Sequence, residues 1–101
     1  MSRAYTKEEV KDEMLDYFKA LARYWSSQGN ITDLEKCEGV AFSILVALDG
    51  CSMSLPSIDL VLRPNPEDKD FLIGEGENWY ENGMAINNNC TLHDEFYKKE
   101  N

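Results

Sequence analysis

The chain has 101 residues, 43% of them apolar and 11% aromatic, enough to build one hydrophobic core and too few for two domains. Its 19 acids outnumber its 10 bases, for a formal charge of −9 at pH 7, which repels phosphate backbones and anionic headgroups and disfavours nucleic acid and membrane surfaces as partners. The longest near-continuous apolar run, Val40 to Leu48, falls well short of the roughly 20 residues of a membrane span. Met1-Ser2-Arg3-Ala4-Tyr5 leads into charged residues instead of the apolar stretch of a secretory signal, so the expectation is a cytoplasmic protein with a single domain over residues 1–101.

Thr6-Lys7-Glu8-Glu9 has the spacing of a capping box, in which the hydroxyl accepts from the third helical amide and the glutamate reaches back to the cap amide. A helix over about 7–27 is expected from there. Val10, Met14, Phe18, Leu21 and Trp25 recur on one stripe of it, and Ser26-Ser27-Gln28-Gly29 ends it. Thr32-Asp33-Leu34-Glu35 repeats the capping spacing and opens a second helix over about 33–48. That helix becomes apolar nearly all round after Val40, which predicts a central element covered on several sides, and Asp49-Gly50 stops it. The short connection predicts an antiparallel helical hairpin.

Past Gly50 the period changes. Ser57 to Arg63 is β-branched, partly alternating and bounded by Pro56 and Pro64, and Gly83-Met84-Ala85-Ile86-Asn87 is a second short candidate strand, followed by an Asn-rich turn at 87–89. Pairing of 58–62 with 83–87 gives a small two-stranded β element. Asn65-Pro66-Glu67-Asp68 carries the cap, proline and acids of a short helix to about Ile73, broken by Gly74 and Gly76. Thr91 opens a terminal helix through Lys98, with Leu92, Phe96 and Tyr97 as packing residues. The fold class is therefore α+β and helix-dominated, with two short C-terminal helices.

Chemistry-bearing residues are sparse. Cys37, Cys51 and Cys90 form an odd set without C-x-x-C spacing, which points to reduced thiols. His93 is the only histidine; with Cys90 it makes a C-x-x-H pair, but the remaining thiols are isolated, so no zinc site and no cofactor is expected. Nor does any cysteine stand out as a nucleophile for His93. Asp68, Asp70, Glu75 and Glu77 fail the calcium-loop template, because Leu72 and Ile73 fall where an oxygen donor and a glycine are needed. Gly74-Glu75-Gly76-Glu77 puts carboxylates where a phosphate would sit. Trp79 and Tyr80, within Glu77-Asn78-Trp79-Tyr80-Glu81, have the character of interface anchors in an acidic loop.

The stretches 38–50, 64–69 and 75–80 give the chain a likeness over residues 35–97: it resembles a group of small bacterial and phage-associated proteins. The resemblance implies a microbial or mobile-element origin and no activity, cofactor or catalytic residue.

Two functional expectations follow. The first is a non-enzymatic interaction module, inhibitor-like, immunity-like or regulatory, that presents Asp68, Asp70, Glu75, Glu77, Glu81, Trp79 and Tyr80 to a basic protein surface. The alternative is a small carboxylate- or metal-dependent hydrolase, which requires two of the acids or His93 to converge in a pocket. Aromatics off the main stripe of the first helix, Tyr17 and Tyr24, add the expectation of a homodimer.

Overall fold

A computed structural model of the chain describes residues 2–88 and 90–99. The element order is α1 (Lys7–Ser26), α2 (Asp33–Leu48), α3 (Asp68–Gly74) and α4 (Leu92–Phe96). By contacts the chain divides into two compact units, Met1–Ser57 with Thr91–Asn101, and Ile58–Cys90.

In the first unit both capping boxes are closed. Glu9 N donates to Thr6 Oγ1 at 3.2 Å while Thr6 N donates to Glu9 Oε1 at 2.8 Å, and the Thr32–Glu35 pair does the same at 3.1 Å in each direction. Each box satisfies two amides that a helix start otherwise leaves open. The stripe residues Val10, Met14, Phe18, Leu21 and Trp25 are all half-buried. α2 packs against α1 on one side and α4 on another.

This cover is thinner than an all-apolar helix leads one to expect. Within α2 only Gly39 and Ala47 are buried, and Val40 through Val46 are half-buried. Gly50 stops the helix with φ +82°, and a Cβ on it would meet the Ser57 Cβ at 2.7 Å, so both the backbone angle and the space require glycine.

The second unit corrects the sequence-based expectation of a β element. Among the described residues there is no strand; one isolated antiparallel bridge joins Val61 and Ala85. The segments do lie side by side, with Leu62 N donating to Met84 O, Gly83 N to Leu62 O and Ile86 N to Leu60 O. The ladder goes no further because a side chain takes its next place. The buried Asn87 carboxamide accepts from Leu60 N at 2.9 Å and donates to Ile58 O at 2.9 Å, so two backbone groups that a regular strand would pair are satisfied by one amide. The fold is helix-dominated, not α+β.

Two further expectations shift. α3 begins at Asp68, not at Pro66, because Asn65 makes a turn first: its Oδ1 accepts from Glu67 N and its carbonyl from Asp68 N, both at 3.0 Å. α4 ends at Phe96 instead of Lys98. Of the expected turn at 87–89, Asn89 lies outside the described residues.

Candidate functional site

Two constellations stand out, one in each unit. In the second unit, α3 presents Lys69, and the chain after Gly76 presents Trp79, Tyr80 and Glu81. Trp79 Nε1 donates to Glu81 Oε1 at 3.0 Å; Lys69 Nζ lies 3.5 Å from the same oxygen and 5.5 Å from the Trp79 ring centroid. The Trp79 hydrogen bond, then the Lys69 charge, hold the Glu81 carboxyl below its usual range. Trp79 is thereby tied down at 41% exposure, whereas its neighbour Tyr80 stands 72% exposed.

Around these residues lie the acids singled out from sequence. Asp68 and Asp70 occupy the first turn of α3, Glu75 is its C-cap and Glu77 follows the turn at 75–76, all exposed. Among the described residues none of these four carboxylates makes an ion pair or side-chain hydrogen bond. The unit as a whole carries Asp59, Glu67, Asp68, Asp70, Glu75, Glu77 and Glu81 against Arg63 and Lys69. Phe71, on α3, is 65% exposed. Of the seven residues predicted from sequence, five therefore face water freely, while Trp79 and Glu81 are engaged with each other and with Lys69.

In the first unit Asp49 and His93 meet, a pair the sequence reading did not anticipate. Asp49 is the C-cap of α2, and its Oδ2 accepts from His93 N at 2.9 Å and contacts His93 Nδ1 at 2.6 Å. The Asp49 side chain is only 1% exposed, and Oδ1 has no hydrogen-bond partner among the described residues. Burial pushes the carboxyl up, but the His93 amide and ring, the Leu92 amide and the His93 charge pull it down, and the result lies below the ordinary value. The imidazole meets Phe42 edge-on, with centroids 5.8 Å apart, and its Nε2 lies 3.5 Å from Asp94 Oδ1.

Chemically, Asp49 does for α4 what Thr91 was expected to do. Thr91 makes no cap hydrogen bond and donates instead to Asp94 Oδ2 at 2.7 Å. One signal could have found the pair: an acid at a helix C-terminus faces the negative end of the macrodipole and needs a compensating partner. Cys90, three residues before His93 in the C-x-x-H spacing, has its Sγ 3.8 Å from Ile86 O. No group of three potential metal ligands occurs among the described residues, and Cys37, Cys51 and Cys90 are not in disulfides. No described helix is long and apolar enough to cross a membrane.

Comparison with protein-family models, with curated proteins and with solved structures returned no match in any of the three. The likeness to small bacterial and phage-associated proteins gains no support from them.

Proposed function

We propose that the protein is a non-enzymatic interaction module, inhibitor-like, immunity-like or regulatory, that binds a basic protein surface through its second unit. The observation that carries this reading is the coexistence of four exposed, unpaired carboxylates with exposed Phe71 and Tyr80. Exposed acids of one sign raise encounter rates with a cationic partner, and aromatic side chains supply contact area once water is excluded. Trp79 serves as the support of the loop and Tyr80 as its contact residue. The test is binding to immobilised basic proteins at low and high salt. Wild-type protein is retained at low salt and released at high salt. Asp68→Asn, Asp70→Asn, Glu75→Gln and Glu77→Gln combined abolish retention; retention unaffected by the four changes sinks the reading.

The hydrolase alternative draws on His93, which the fold places beside two carboxylates. The contacts of its imidazole are with carboxylates, Asp49 Oδ2 at 2.6 Å and Asp94 Oδ1 at 3.5 Å, and with the Phe42 ring, an arrangement that suits a structural anchor of α4. Self-association is a further proposal, favoured by Leu15 and Tyr24, which are 50% and 56% exposed on α1. Sedimentation over a range of concentrations reads it directly.

A further inference from the structure

We propose that the basic partner engages the second unit by laying an arginine and an apolar side chain on either side of Tyr80. This deepens the reading above and rests on it. Two clefts share Pro64 and Tyr80 as a common wall. The first, of about 230 Å³, is a shallow open cleft lined also by Leu62 and Arg63 and is almost wholly apolar. It suits an aliphatic side chain, which gains from leaving water and finds few polar groups to desolvate.

The second cleft, of about 240 Å³, is completed by Asn65, Pro66, Lys69, Glu81 and Asn82. Its chemistry matches a guanidinium: an aromatic face for stacking, proline surface for the methylene stem, and carboxylate and amide oxygens for in-plane N–H donors. Glu81 uses Oε1 for both Trp79 and Lys69, and its Oε2 makes no hydrogen bond among the described residues. Lys69 also lines this cleft, with its ammonium 3.5 Å from Glu81 Oε1 and 5.5 Å from the Trp79 ring centroid, so the guanidinium is received at the Oε2 edge and Glu81 alone does not supply its net attraction. The acids of the unit supply the long-range attraction. A lysine satisfies that attraction equally but cannot stack as a plane or donate as a fork, so the cleft discriminates between two residues of equal charge.

The probe is a labelled seven-residue peptide with one arginine and one leucine among lysines and a glycine spacer, compared with its counterpart in which lysine replaces the arginine. Binding is read by fluorescence anisotropy. The arginine peptide binds wild-type protein about tenfold more tightly, and Tyr80→Ala, with an unchanged circular dichroism spectrum, removes the preference while leaving weak salt-sensitive binding of both. Equal binding of the two peptides, or a preference that survives Tyr80→Ala, overturns the cleft and leaves the acidic module standing. Failure of both peptides to bind at low salt removes both proposals together.

Discussion

Gly39 of α2 lies so close to the indole of Trp25 that a Cβ there would sit 2.5 Å from Cδ2. The approach brings Trp25 Nε1 to donate to Ser43 Oγ at 3.0 Å, one turn further along α2. A mid-helix glycine costs about 0.5–1 kcal/mol against alanine, and here it admits the largest side chain of the α1–α2 contact. Gly39→Ala is expected to destabilise the protein by about 1–3 kcal/mol, because the ring must leave its site. Gly74→Ala, with nothing within 4 Å of its Cβ, is the control and should shift the urea midpoint little and upward. Equal midpoints for the two variants would contradict the packing described.

The Asp49–His93 contact ties α4 to the end of α2 and sets a pH dependence. Asp49 has its folded pKa below the unfolded one. Its contribution is therefore fully present above the unfolded carboxylate range and is lost as pH falls through the folded value. Asp49→Asn removes the charge and buries an amide donor where Oδ1 has no partner, which should cost about 1–3 kcal/mol at neutral pH. It should also flatten the acid limb of stability relative to wild type. Denaturant unfolding of both proteins between about pH 7 and pH 3 reads this difference, and parallel curves would show that the pair contributes no linkage.

At the start of α1, the Arg3 guanidinium grips Glu9 at 2.7 and 2.9 Å, and with the Thr6 amide it lowers the Glu9 pKa to about 2. Arg3→Ala should move the Glu9 midpoint back up in a carbon-detected NMR titration, while the Thr6 amide hydrogen bond keeps it below the free value. Thr6→Ala should cost about 1 kcal/mol through loss of the cap. A Glu9 midpoint insensitive to Arg3→Ala rules out the contact.

These outcomes also mark how much could be read from sequence. Both helix starts were legible because a capping box is written in four consecutive residues, Thr6 to Glu9 and Thr32 to Glu35. The failure at 58–62 and 83–87 has the opposite cause. The hydrophobic pattern predicted two paired strands where the described residues hold one isolated bridge, and whether a ladder forms depends on Asn87 reaching across to Ile58 and Leu60, a tertiary contact with no local signature. Asp49 was read as a helix stop because its partner lies far along the chain. The exposure of Asp68, Asp70, Glu75 and Glu77 was legible from charge alone. The different fates of Trp79 and Tyr80 were not, since they depend on where α3 puts Lys69.

Asn87 offers a direct test of the side-chain splice. Asn87→Asp keeps the acceptor for Leu60 N but sets a carboxylate oxygen against Ile58 O, whereas Asn87→Ala removes both hydrogen bonds. Each should destabilise the second unit by about 1–3 kcal/mol, visible as faster amide exchange at Leu60, whose amide donates to the carboxamide, and at Ile86, whose amide donates to Leu60 O beside it. Protection unchanged in both variants would mean the segments hold together without the carboxamide.

The division of labour between adjacent aromatics is the last expectation. Trp79→Ala removes the hydrogen bond that is the main cause of the low Glu81 pKa, so the Glu81 midpoint should rise, and the Lys69 ammonium loses its ring partner. Tyr80→Ala removes a ring that is 72% exposed, so it should leave the Glu81 midpoint and the unfolding transition nearly unchanged. NMR titration of Glu81 in the two single variants separates the roles. If Tyr80→Ala shifts Glu81 as much as Trp79→Ala does, the two rings act as one structural block, and Tyr80 is not a side chain held out for a partner.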